Sequence, residues 1–254
     1  MNFSSDNATG VSPQIMAALA AANEGHAMAY GEDSVTKAAE AAFTELFGCE
    51  LAIFPVATGT AANALALSAL TPPWGQIYCH RNAHIEEDEA GAPELFTGGA
   101  KLALLDGEHG KIEAETLAGA VAAAGFGVQH HSQPSALSVT QATEAGTTYQ
   151  PDEIAALAAI AHGAGLSVHM DGARFANALV HLGCSPGEAT WKAGVDVLSF
   201  GATKNGAMAA EAVVFFDMAA AEDFLYRRKR TGHLFSKMRF LSAQLVAYLR
   251  DDLW

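Results

Sequence analysis

Along the chain, short runs of apolar, β-prone residues alternate with longer Ala-rich stretches whose apolar positions recur at helical spacing. Residues 51–56, 76–79, 102–105, 137–140, 166–170, 195–200 and 212–216 read as strands. Between them, 113–124 and 152–162 read as helices, the second with Pro151 at a first helical position and Gly163 just past its end. Strands alternating with helices predict βαβ units, and so an α/β fold with a mostly parallel sheet covered by helices. No repeat, low-complexity tract or compositional break divides the 254 residues, a length suited to one large domain. Residues 236–250 also read as a helix, with Met238, Leu241, Leu245 and Leu249 at helical spacing and no later element to cover them. The expectation is that a partner buries this helix or that the chain is a fragment of something longer.

Charge narrows the function classes. Lys and Arg number 14 against 28 Asp and Glu, a formal net charge of −14 at pH 7. Such a surface suits neither nucleic acid nor an anionic membrane face, because phosphate neutralisation needs clustered cations. The short cluster Arg227-Arg228-Lys229-Arg230 reads as a solvated helix face. Cys49, Cys79 and Cys184 lie far apart without a CxxC pair, which argues against a disulfide scaffold and suits a reducing compartment. The N-terminus lacks the basic and apolar regions of a secretory signal. The longest apolar stretch, 154–170, carries His162 and His169 and ends on Asp171, so the expectation is a soluble, cytoplasmic protein.

In an open α/β sheet, ligands sit at the carboxyl ends of the strands. Three candidates fall there: Asp171 in His-Met-Asp-Gly-Ala-Arg174, Lys204 in the turn Gly-Ala-Thr-Lys-Asn-Gly, and Thr58-Gly59-Thr60 between a strand and the helix 61–70. Singly, each has a plain reading as a turn aspartate, a solvated lysine or an N-cap. Together they match what one cofactor needs. A helix N-terminus holds a phosphate, a buried carboxylate keeps a pyridine nitrogen protonated, and an amine forms a Schiff base with an aldehyde. That cofactor is pyridoxal 5'-phosphate. A P-loop does not fit, since Lys204 precedes Gly206 instead of following it, and no G-x-G-x-x-G follows a strand. His84 has two readings. With His80 at i, i+4 it could bind a metal, as in a metal hydrolase, although the H-E-x-x-H glutamate and a third ligand are missing. Alternatively, it stacks on the cofactor ring and moves protons. Glu86, Glu87, Asp88 and Glu89 then read as a polar helix start.

The segments Phe3-Ser-Ser5-Asp6, Tyr30-Gly-Glu-Asp33, Phe54-Pro-Val-Ala-Thr-Gly-Thr-Ala-Ala-Asn63, Asn82-Ala-His84, His169-Met-Asp-Gly-Ala-Arg174 and Ser199-Phe-Gly-Ala-Thr-Lys204 run in order across nearly the whole chain. They resemble the low-specificity L-threonine aldolases, fold-type-I pyridoxal-phosphate enzymes grouped with β-eliminating lyases. The resemblance implies a large cofactor-binding domain over 1–254, with the segment 1–30 crossing to a partner subunit and a small C-terminal domain truncated. It implies Lys204 as the Schiff-base lysine, Asp171 at the pyridine nitrogen, Gly59 and Thr60 at the phosphate, His84 on the ring and Arg174 beside the phenolic oxygen. Ser5 would help hold the substrate carboxylate, and Tyr30 would border the site from a neighbouring subunit of a homodimer or homotetramer. Lys237 is a further candidate for the phosphate across a subunit boundary, or simply a solvated helix lysine.

Two departures stand out. Glu144 occupies the place of a second family histidine, so the general base is His84, Glu144 or a water. The resemblance also implies an arginine for the substrate carboxylate in the small C-terminal domain, which is expected to lie outside these 254 residues. The implied reaction is retro-aldol cleavage of a β-hydroxy-α-amino acid to glycine and an aldehyde. The alternatives are a β-eliminating lyase or aminotransferase of the same fold and, more distantly, a metal hydrolase using His80 and His84.

Overall fold

The computed structural model describes residues 4–254; Phe3, in the first of the matching segments, lies outside them. In chain order the elements are α1 (Pro13–Ala22), α2 (Ser34–Phe47), β1 (Ala52–Val56), α3 (Gly59–Leu70), β2 (Gly75–His80), α4 (His84–Glu87), α5 (Ala92–Thr97) and β3 (Lys101–Leu105). There follow α6 (Ala114–Ala123), β4 (Gln133–Thr140), α7 (Pro151–Gly163), β5 (Ser167–Gly172), α8 (Phe175–Leu182), β6 (Val197–Gly201), β7 (Glu211–Phe215), α9 (Met218–Ala221), α10 (Phe224–Arg230) and α11 (Arg239–Leu249). All seven expected strands form, in one sheet of order β1-β7-β6-β5-β4-β2-β3. Strands β3, β2, β4, β5 and β6 pair in parallel, while β7 runs antiparallel to both β6 and β1. The link from Gly201 to Glu211 is too short for the helical crossover that a parallel return needs, so β7 turns back.

Local signals set most boundaries. Helix α7 starts at Pro151 behind a capping box, in which Glu153 Oε2 accepts from the Gln150 N–H at 2.7 Å. Gly163 is its last residue and does not lie beyond it; the left-handed turn falls at Gly165, φ +77°. The larger difference is α11. Its apolar side is covered within the chain, by α1 and α2: Leu245 and Tyr248 join Ile15, Ala39 and Phe43 in the main core, and Ser242 Oγ lies 2.9 Å from Thr36 Oγ. The cover comes from helices that precede the sheet in sequence, which helical spacing cannot reveal.

The two faces of the sheet differ in purpose. On β5, Val168 and Met170 enter the main core with α2, α7, α8 and α11. Side chains alternate across a strand, so His169 and Asp171 point to the other face, the one on which α3 packs. Every residue of α3 from Ala61 to Ser68 is buried, and its many alanines let it lie close to the strands. His169 is fully buried between the Ser138 and Ser199 hydroxyls, each 2.9 Å away, and burial holds its imidazole neutral, with a pKa pushed down to about 4. At the strand ends, a Cβ on Gly201 would come 2.3 Å from the Ala173 carbonyl oxygen, so glycine lets the loops after β5 and β6 touch. Among the described residues no helix is long and apolar enough to cross a membrane.

Phe43 is fully buried and meets Phe200 edge-on at 4.9 Å, which fastens α2 to β6. Phe43→Ala should cost about 3–5 kcal/mol in urea unfolding, and Phe43→Leu clearly less. Equal, small losses in both variants would show that this contact does not fasten the two layers.

Candidate active site

A cavity of about 430 Å³ opens at the carboxyl ends of β5 and β6, walled by Thr58, Gly59 and Thr60, by Asn63 and His84, and by Asp171, Lys204 and Glu211. The three strand-end candidates of the sequence therefore meet in one place. Thr58 caps α3, its Oγ accepting from the Ala61 N–H at 3.2 Å. The N–H groups of Gly59 and Thr60, first in the helix, have no intrahelical acceptor, and with the dipole they form a cradle for an anion.

Asp171 is buried near the end of β5. Its Oδ1 accepts from the Ala173 N–H at 3.0 Å and its Oδ2 from the Asn63 side-chain amide at 3.0 Å. That same Asn63 nitrogen donates at 2.8 Å to Glu89 Oε1, which lies 2.8 Å from His84 Nδ1. Two acceptor carboxylates on one amide nitrogen fix which way the amide faces. The hydrogen bond to Glu89 raises the His84 pKa above the ordinary imidazole value, with burial opposing it. Glu89 was expected in a polar helix start together with Glu86, Glu87 and Asp88. Instead its side chain has no exposure, unlike Glu86, Glu87 and Asp88, and burial raises its pKa against the pull of His84 and Asn63.

Lys204 stands in the turn after β6, and among the described residues no hydrogen bond or ion pair engages its Nζ. The turn is tied down around it: Ala202 N–H donates to Glu211 Oε2 at 2.9 Å, Asn205 Nδ2 to Tyr248 Oη at 2.8 Å, and Ser12 N–H to the Gly206 carbonyl at 2.9 Å.

The other expected residues lie outside the wall of the cavity. Arg174 is held by Asp6, Nε to Oδ2 at 2.6 Å, with Glu144 Oε2 at 3.5 Å from its Nη1. Ser5 caps the turn Asp6–Ala8, accepting from the Asn7 N–H at 3.1 Å, and that turn lies against the Lys204 turn. Tyr30 is exposed, with Lys229 Nζ 4.8 Å from its ring centroid, and Lys237 is also exposed. His80 and His84 do not share a helix face as the metal reading required. His80 ends β2, with Nε2 3.0 Å from the Gly107 carbonyl and Nδ1 accepting from the Asn82 N–H, so both its nitrogens are engaged.

The model for the family described as beta-eliminating lyase matches residues 2–253. The chain belongs to the beta-eliminating lyase family. It is 49% identical over 252 residues to a low specificity L-threonine aldolase of Pseudomonas aeruginosa, covering 99% of this chain and 72% of that protein. A protein of the same description from a Pseudomonas species is 48% identical with the same coverage. Among solved structures, a threonine aldolase of Leishmania major superposes with a TM-score of 0.89 at 28% identity, over 98% of this chain and 72% of that one. The cofactor of this lyase family is pyridoxal phosphate, and the residues present fit it. Among the described residues, an unpaired amine, a buried carboxylate and a helix start with free N–H groups face one cavity, and Asn63 Oδ1 and Glu89 Oε2 are buried near it without partners.

Asn63 and Glu211 in the cavity wall, and Glu89 behind His84, are polar residues whose part in the site sequence reasoning passed over. For Asn63 a signal existed, since a lone amide in an otherwise apolar helix must find partners. Glu211 is almost wholly buried; burial pushes its pKa up to about 7 despite its bonds to Thr203 and Ala202 and the nearby charge of Lys204. The folded protein thus keeps a proton there that the unfolded chain releases at the ordinary carboxylate value. This contribution to stability is full below that value and is lost as pH rises through about 7, amounting to roughly 3 kcal/mol. Urea unfolding of the cofactor-free protein should show stability falling between pH 5 and about 8. Glu211→Gln should flatten the slope; an equally steep variant would place the proton elsewhere.

Proposed function

We propose that the protein cleaves β-hydroxy-α-amino acids of the threonine, allo-threonine and phenylserine type to glycine and an aldehyde, by breaking the Cα–Cβ bond. The observation that carries this reading is the unpaired Lys204 amine sharing one cavity with buried Asp171, the open start of α3 and His84. The threonine aldolases that the chain resembles support the substrate class.

Bound pyridoxal phosphate supplies an aldehyde that condenses with amines and a ring that accepts the electron pair released at Cα. Gly59 and Thr60 would hold its phosphate through backbone N–H groups. Asp171 would keep a proton on the pyridine nitrogen, since an anion beside it favours the charged form. The Lys204 amine would tether the aldehyde carbon and give way to the substrate amine. His84 would lie against the ring and take the proton of the β-hydroxyl, directly or through a water. It is favoured over Glu144 because it lines the cavity, whereas the Glu144 carboxylate turns towards Arg174. Arg174 would sit beside the phenolic oxygen, and Ser5 would help hold the substrate carboxylate.

On the same reading, residues 1–254 form the cofactor-binding large domain of a cytoplasmic homodimer or homotetramer. Exposed Tyr30 would border the site of the neighbouring subunit. Three cysteines without a disulfide agree with a reducing compartment.

Purified protein with pyridoxal phosphate should release acetaldehyde from threonine and benzaldehyde from phenylserine, with glycine in equal amount. Lys204→Ala should abolish turnover, and Asp171→Asn should lower kcat about 100- to 1,000-fold. Release of a keto acid in place of aldehyde and glycine would move the protein to the β-eliminating or aminotransferase reading. A near-normal rate in Asp171→Asn would overturn the role given to that carboxylate.

A further inference from the structure

The backbone takes trouble to bury Glu89. Directly after it, Ala90 and Gly91 are both left-handed, at φ +50° and +76°, and the Ala92 N–H closes the turn on the Glu89 carbonyl at 2.9 Å. A left-handed alanine is strained, because its Cβ crowds the following carbonyl. The turn removes one acid of a run of four from water, while its neighbours Glu86, Glu87 and Asp88 stay exposed. A carboxylate so placed has a desolvation cost that only specific partners offset. Its Oε1 has two: His84 Nδ1 and Asn63 Nδ2, each at 2.8 Å.

Ionised, as its bonds to His84 and Asn63 favour, the Glu89 carboxylate carries no proton to donate and meets both the amide and the imidazole as an acceptor. The histidine proton therefore lies on Nδ1, which leaves Nε2 as the ring nitrogen free of protein partners among the described residues.

We propose that Glu89 is a positioning residue: its carboxylate fixes His84 as the Nδ1–H tautomer with Nε2 available to the cavity, and through Asn63 it joins that imidazole to Asp171 in one hydrogen-bonded chain. The role in catalysis rests on His84 being the base of the proposed aldol cleavage; the tautomer does not. The chain of contacts is His84 to Glu89 to Asn63 to Asp171, with Asn63 the shared donor. The charged groups facing His84 are Glu89 from its own segment, Asp171 from β5 and Lys204 after β6; Asp88 and Glu211 share the cavity wall. Of these, Glu89 alone touches the ring, and its hydrogen bond is the largest influence raising the imidazole pKa. Losing the negative charge while keeping the shape should lower that pKa.

The test uses the holoenzyme with isotope-labelled histidine, His84→Gln serving to assign the signal. In the wild type at high pH, ring nitrogen NMR should show His84 protonated at Nδ1 and bare at Nε2. A ring protonated at Nε2 would overturn the proposal without any variant. In Glu89→Gln the His84 titration should move down by about one to two pH units. The acid limb of kcat should move with it, kcat should fall roughly ten- to hundredfold, and KM for threonine should change little. An unmoved His84 titration in a folded Glu89→Gln protein overturns the positioning role. A moved titration with an unmoved rate profile overturns His84 as the base, and with it any part of Glu89 in the reaction.

Discussion

The amide of Asn63 donates to two buried carboxylates at once, and much of the site depends on that. An ion the size of a carboxylate loses several kcal/mol on leaving water, and hydrogen bonds to the charge must offset this. Asp171 comes from the sheet and Glu89 from the turn beyond α4, and the nitrogen of Asn63 has one hydrogen for each. An aspartate there would add a third acceptor, and a leucine would take one donor from each carboxylate, leaving Asp171 with the Ala173 N–H and Glu89 with the His84 ring. The amide is correctly placed only because α3 is correctly placed. The helix is set by the Thr58 cap at its start and by the alanines that let it lie on the sheet. Cap, helix and carboxylates therefore stand or fall together.

The lysine is positioned by a different logic. Lys204 lies in a short turn, which alone would leave its amine mobile. Three separate parts of the fold hold that turn: Glu211 on β7, Ser12 at the start of α1 and Tyr248 on α11. Gly206 permits the left-handed backbone, φ +106°, that delivers the carbonyl to Ser12. Helix α11 thus contributes to the site from the opposite face of the sheet, by way of the Tyr248 hydroxyl. Geometry held this way does not have to be found anew at each turnover, which is where much catalytic advantage lies.

The seven strands were legible because each is a local run of apolar residues between turn signals. The strand-end Asp171, Lys204 and Thr58-Gly59-Thr60 were legible because the sheet edge gathers such residues whatever their distance in sequence. Glu89 was not, since four consecutive acids look alike. Which of them turns inward is decided by two left-handed residues after it and by a helix that starts thirty residues earlier. Glu211 was hidden in another way: an acid at a strand start usually reads as part of a turn, and its burial follows from the antiparallel return of β7. The cover of α11 was missed because α1 and α2 reach it across the chain. Long-range packing enters each of these cases, joined at Glu89 by the local left-handed turn of Ala90 and Gly91.

The acidity of the chain and its proposed anionic cofactor are compatible for a specific reason. A net charge of −14 argues against polyanions, whose neutralisation takes many cations spread over a surface. A single phosphate can be received differently, by backbone N–H groups and the dipole at one helix start. Among the described residues, Lys204 is the one Lys or Arg that lines this cavity, and the aldehyde rather than the phosphate is its proposed partner. The phosphate is therefore left to Gly59 and Thr60, whose donors carry no formal charge and do not change with pH. The same economy holds for Arg174, whose charge is already met by Asp6 and Glu144. Around the cavity, charge is met locally, by an ion pair at Arg174 and by amide and backbone N–H groups at Asp171, and not by a basic surface.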